Sequence, residues 1–134
     1  MRRVLMTLGG VLALVLVLLG LYIMLALNWS YSDGERTGYL QKFSRKGWIC
    51  KTYEGELAMS TVPGVAPVIW SFTVRDEAVA ARINALLGQR VVLRYEEHLG
   101  LPTSCFGDTA YFVDRILALD GSLPAGPPAS STGK

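Results

Sequence analysis

"VIWSFTVRDEAVAARINALLGQRVVLRYEEH", residues 68–98, holds the change of period on which the fold turns. Its first seven residues, "VIWSFTV" (68–74), are β-branched, aromatic or small and read as a strand. From Asp76 onward the spacing changes. Val79, Ile83 and Leu86 or Leu87 recur at helical intervals on one face. Asp76 stands where a helix N-cap belongs, and Gly88 stands where the helix should stop. "QRVVLRYEEH" then returns to strand character.

Upstream, "TGYLQKFSRKGWICKTYEGELAMS" (37–60) carries Tyr39, Phe43, Trp48 and Tyr53 among punctuating glycines. "SRKG" is a turn signal, so 37–44 and 48–60 are predicted as a hairpin. "TVPGVAP" reads as a loop. Downstream, "TAYFVDRILAL" (109–119) is predicted as the last strand. The order is three strands, one helix, two strands. That is the order of an OB-fold, a small Greek-key barrel. The fold expected is therefore a mostly-β domain, a five-stranded OB-like barrel with one helix between strands 3 and 4. A different small α+β sheet is the alternative. Curling the sheet also limits its exposed edges.

The stretch "VLMTLGGVLALVLVLLGLYIMLAL" (4–27) contains no charged residue. As a helix its length would be about 36 Å, enough to cross a hydrocarbon core of about 30 Å with some tilt. Arg2 and Arg3 precede it, which favours a cytoplasmic N-terminus, and Tyr22 and Trp29 lie near its far end, where amphipathic rings prefer the interface. A cleaved signal peptide is the competing reading, but "MLALNWS" offers no good small-x-small site. The organisation expected is a transmembrane anchor over 1–29, a polar linker over 30–36, the OB-like domain over 37–119 and a Pro/Gly/Ser-rich disordered tail over 120–134. Such an anchor makes the lipid bilayer a partner through residues 4–27.

Of 13 Lys and Arg, Arg2 and Arg3 precede the apolar run, which leaves 11 against 11 acids from residue 28 onward. That portion is neutral. Neutrality gives no electrostatic footprint for nucleic acid, so a nucleic-acid partner is not expected.

Three stretches, "YSDGERTGYLQKFSRKGWICKTYEGELAM" (31–59), "WSFTVRDEAVAARINALLG" (70–88) and "YEEHLGLPTSCFGDTAYFV" (95–113), together resemble a family of small bacterial single-span membrane proteins. Some members carry the label 6-phosphogluconate dehydrogenase. The residues here do not support that activity. A dinucleotide site needs G-x-G-x-x-G between a strand and a helix of a βαβ unit, and "LGGVLALVLVLLG" is the apolar segment instead. What the resemblance implies is a bacterial protein; with the cytoplasmic N-terminus that Arg2 and Arg3 favour, the anchor would lie in the inner membrane and the C-terminal domain in the periplasm, beside another envelope or inner-membrane protein.

The periplasm is oxidising, and two cysteines allow one intramolecular pairing. A Cys50–Cys105 disulfide is therefore expected. Closing a loop of that length stabilises by about 4 kcal/mol in the chain-entropy model. With Cys105 so occupied it is no nucleophile. His98, the only histidine, reads as a loop residue, and Asp108 as a turn residue bonding the Thr109 or Ala110 backbone. A small periplasmic enzyme with a site around His98, Glu96, Glu97 and Asp108 is the alternative function. No metal site is expected, since ligand count and spacing fall short of zinc patterns, and no cofactor. The function expected is a non-enzymatic, membrane-anchored periplasmic binding or accessory module. Its candidate binding surface comprises Trp48, Trp70, Tyr95, His98 and Asp108, and the basic run "KFSRKG" (42–47) forms a hairpin tip.

Overall fold

The computed structural model describes residues 1–59 and 63–118. A first helix, α1, runs over Arg2–Asn28. The strands are β1 (Ser32–Lys46), β2 (Thr52–Met59), β3 (Val68–Val74), β4 (Arg90–Glu97) and β5 (Tyr111–Ala118), and a second helix, α2 (Glu77–Ala85), lies between β3 and β4. The expected element order is thus the one observed.

Helix α1 fully buries none of its residues, and only Ile23, Ala26 and Leu27 near its C-terminal end are partly covered. It is long and apolar enough to cross a membrane. Helix α2 starts as the sequence reads. The Asp76 carboxylate accepts hydrogen bonds from Ala78 N (2.7 Å) and Val79 N (3.1 Å), satisfying two donors of the first turn. Ala80 and Ile83, one turn apart on the inner face, are buried.

The strands close into a barrel in the order β1-β2-β3-β5-β4. β1 is the strand that closes it. Its first half pairs antiparallel with β4, from Ser32 opposite Glu97 to Tyr39 opposite Arg90. Its second half pairs with β2, from Tyr39 opposite Ala58 to Lys46 opposite Thr52. β3 meets β5 in parallel through Thr73 and Phe112. The core inside the barrel is Leu40, Leu57, Trp70, Phe72, Val74, Val91, Leu93, Val113 and Ile116, with Ala80 and Ile83 of α2 packed in.

Two boundaries differ from expectation. Residues 30–36 are not a linker beyond Tyr31, because β1 begins at Ser32 and Tyr31 N already donates to Glu97 O at 2.8 Å. Polar side chains in 32–37 suit a strand whose outer face meets solvent. The first hairpin is also displaced. β1 continues to Lys46 and β2 starts at Thr52, so Trp48 and Cys50 belong to the turn. The expected tail, 120–134, lies outside the described residues.

Candidate functional site

Two loops stand at the same rim of the barrel. One is the β1–β2 turn, residues 47–51. The other is the long β4–β5 loop, residues 98–110. Cys50 of the first and Cys105 of the second form the disulfide, with Cα atoms 4.9 Å apart across 55 positions. The expected pairing is present in the structure.

Trp48 and Ile49 project from the stapled turn, 97 % and 93 % exposed. Arg45, Lys46 and Lys51 flank them. Arg45 lies over the Tyr53 ring at 5.5 Å, and Tyr53 stacks on Phe43 with centroids 5.9 Å apart. This tip is apolar at its point and cationic at its base.

Next to the disulfide, the outer faces of β1, β2 and β3 carry a polar network centred on Glu54. Its carboxylate accepts from Thr52 Oγ1 and Thr73 Oγ1, both at 2.7 Å, and from Asp108 N at 3.1 Å. Lys46 forms an ion pair with Asp108, and Lys42 pairs with Glu56 at 3.1 Å. The hydrogen bond to Asp108, and then the Asp108 charge itself, hold the Lys46 ammonium above its ordinary range. A hollow of about 270 Å³ is lined by Lys42, Lys46, Glu54, Glu56 and Asp108 together with Ser44, Ser71 and Thr109. Its two ammonium groups, Lys42 and Lys46, pair with Glu56 and Asp108, while Glu54 is held by neutral donors, so the hollow is polar and carries one negative charge in excess.

The candidate residues do not form one patch. Trp70 and Tyr95 do come together, with ring centroids 5.2 Å apart, but inside the barrel. Tyr111 joins them at 5.5 Å from each, and the Arg36 guanidinium lies over all three rings at 4.9, 5.4 and 5.6 Å. Trp70 is 6 % exposed. Tyr95 and Tyr111 are half-buried, and the three rings close an end of the core beneath Arg36. Trp48 alone of the aromatic candidates is presented to solvent.

His98 is not a solvated loop residue. It is 7 % exposed and sits where α1 meets the barrel. Its Nδ1 is 3.2 Å from Ala26 O, its Nε2 3.5 Å from Glu96 Oε2, and its ring stands edge-on to Phe112 at 5.3 Å. A carbonyl can only accept, so Nδ1 carries the proton in that contact. Asp108 departs from expectation as well. Its carboxylate takes Lys46 across the groove, not the local Thr109 or Ala110 backbone. His98 and Asp108 line opposite parts of one open hollow of about 350 Å³ under the β4–β5 loop. Each is committed elsewhere, and Glu97 lies in the β1–β4 ladder opposite Ser32. Among the described residues no group of three or more His, Cys, Asp and Glu side chains is placed to hold a metal ion.

Sequence reasoning missed Arg36, Glu54, Lys46 and Tyr22 as organising residues. The signal for Arg36 was its parity. It shares the inward face of β1 with Leu40, an unusual place for a cation unless aromatic rings receive it.

Five strands joined in this order, with a helix between the third and fourth, define an OB-fold protein. The chain belongs to the family described as Domain of unknown function (DUF8785), whose model matches residues 29–118. No curated protein matches it. Among solved structures it is similar to the mitochondrial single-stranded DNA binding protein of S. cerevisiae, with a TM-score of 0.52 and 11 % identity over 71 % of this chain and 100 % of that chain. At that identity the likeness is one of fold.

This neighbour corrects the expectation that nucleic acid is excluded as a partner. Net charge averages over a surface, whereas a strand of nucleic acid reads it locally. Neutrality from residue 28 onward coexists with Arg45, Lys46 and Lys51 gathered at one exposed tryptophan.

Proposed function

We propose that this protein is a non-enzymatic, membrane-tethered binding module that holds its ligand between the β1–β2 and β4–β5 loops. One observation carries the reading. The disulfide joins the very pair of loops with which OB-folds hold oligomeric ligands. A cross-link there fixes the loop spacing before the ligand arrives and lowers the ordering cost of binding. Helix α1 is the anchor, with Arg2 and Arg3 in the cytoplasm and the barrel in the periplasm of a bacterium. The covalent Cys50–Cys105 pairing suits that oxidising side. The competing enzyme, with a site around His98, Glu96, Glu97 and Asp108, is less well supported, because His98 is spent on Ala26 and Glu96, and Asp108 on Lys46.

Intact mass of membrane-extracted protein, alkylated with and without reduction, tests the placement. A full-length mass with no alkylation before reduction is expected. A new N-terminus near Asn28 would make α1 a cleaved signal. Two thiols alkylated before reduction would put the domain in the cytoplasm.

A second observation favours a particular ligand class. Trp48, fully exposed among Arg45, Lys46 and Lys51, joins a stacking ring to cations, the pairing that sequence-tolerant single-strand binders use. On that reading the ligand is a single-stranded nucleic acid. Fluorescence anisotropy of a labelled oligothymidylate with the full chain in nanodiscs should show saturable, salt-sensitive binding. Trp48→Ala should weaken it by the about 1–3 kcal/mol of one stacked base. Absence of binding at low salt removes this ligand class and leaves the loop pair to another.

A further inference from the structure

The β4–β5 loop begins with "LGLP", Leu99–Pro102, and this segment does not extend away from α1. It lies against it. Tyr22 Oη donates to Gly100 O at 2.8 Å, across 78 positions of sequence. Gly100 is in the left-handed region at φ +77°, and a Cβ there would come 2.9 Å from Tyr22 Oη. His98 Nδ1 reaches Ala26 O one helical turn further on. Two contacts thus lay the loop along the last two turns of the apolar helix. Leu99 is nevertheless 49 % exposed, and Pro102 is exposed.

Depth follows from helix geometry. A core of about 30 Å takes about 20 helical residues, so a span starting at Val4, just inside Arg3, ends near Ile23. Tyr22 then lies at the outer hydrocarbon boundary. The five residues Met24–Asn28 rise about 8 Å, the thickness of one headgroup layer. Gly100, bonded to Tyr22, is at the boundary and not above it.

We infer that Leu99–Pro102 is a second membrane contact, a short apolar loop seated at the headgroup–acyl boundary of the leaflet facing the barrel. This rests on the reading of α1 as an anchor. The occupant of this surface is lipid, because the surface is continuous with the lipid-facing side of α1. The chemistry of the segment suits that depth. Its side chains carry no charge. Its one left-handed carbonyl, Gly100 O, is satisfied by Tyr22, which removes the cost of an unpaired backbone acceptor near hydrocarbon. Tyrosine itself favours this layer. The barrel is thereby held at two points and cannot swivel freely about residues 29–31.

Nitroxide depth measurement tests this with the full chain in vesicles of mixed zwitterionic and anionic phospholipid. The native disulfide leaves an added cysteine as the sole free thiol. Labels go on Leu99→Cys, on Pro102→Cys as a second loop position, on Leu14→Cys within α1, and on Arg82→Cys on the exposed side of α2. The expected result is strong oxygen preference at 14, clear oxygen preference at 99 and 102, and aqueous relaxant preference at 82. Oxygen preference at 14 with aqueous values at 99 and 102 overturns the loop contact and leaves the anchor standing. Aqueous values at 14 overturn the anchor, and the loop contact with it.

Discussion

Arg36 holds its guanidinium carbon 4.9 Å from the centroid of Trp70 while Tyr95 and Tyr111 complete the ring around it. An inward cation on a barrel strand is normally a liability. Here three ring faces receive it, and its stem covers apolar surface. Arg36→Ala should cost about 1–2 kcal/mol in urea unfolding of the full chain in detergent. Arg36→Lys should recover only part of this, since a compact ammonium cannot lie flat against three rings. A silent Arg36→Ala would mean the rings close the barrel unaided.

Cys50→Ala and Cys105→Ala should each lower stability by an equal amount, up to about 4 kcal/mol for this loop. The double substitution should cost no more than either single one, since both remove one bond. Additive losses in the same urea titration would contradict a shared bridge.

Gly55 on β2 faces the Phe72 ring, and a Cβ there would fall 2.6 Å from Cε2 and 2.8 Å from Cε1. Phe72 is fully buried and cannot swing clear. Gly55→Ala should therefore destabilise by about 1–3 kcal/mol through overpacking. Phe72→Leu placed in that background should be milder than it is alone. Simple additivity of the two would show that the barrel relaxes around the methyl group.

The Lys46–Asp108 pair gives a pH signature. Folding raises the Lys46 pKa above its ordinary value of 10.5. Its contribution is fully present below the unfolded value and is lost as pH rises through the folded one. Thermal melts of wild type and Lys46→Gln should differ by a constant amount at neutral pH and converge above about pH 10.5. Lys46 is on the surface, so added salt should shrink the difference at neutral pH. Melts that stay parallel into the alkaline range would unlink this pair from stability.

The elements from Val68 onward were legible because their periods are pure. β3 is a run of β-branched, aromatic and small residues, α2 repeats every three to four residues, and Asp76 marks the boundary by capping. The start of β1 was not legible. "SDGER" looks like a linker because a strand facing solvent on one side, with Gly34 and Arg36 turned toward the aromatic end, shows no apolar alternation. The cysteine pairing was legible from count, since two cysteines allow one intramolecular bridge. The contacts of His98 and Asp108 were not. Both depend on which distant segment, α1 or β1, comes to lie beside the β4–β5 loop. A single histidine in sequence carries no mark of that.

The disulfide also sets a mechanical property of the chain. β1 follows α1 after three residues, Trp29–Tyr31, so tension applied between α1 and the end of β5 enters the barrel at Ser32. Ser32 stands at the Glu97 end of β4 and Ala118 at the Val91 end, so the load shears β1 and β5 along β4, the stiff direction for an antiparallel ladder. It cannot pay out residues 51–104, because Cys50 and Cys105 carry the force past them covalently. Under load the domain would yield a short, fixed extension and keep β2, β3 and α2 within a closed loop, a tether with a built-in stop.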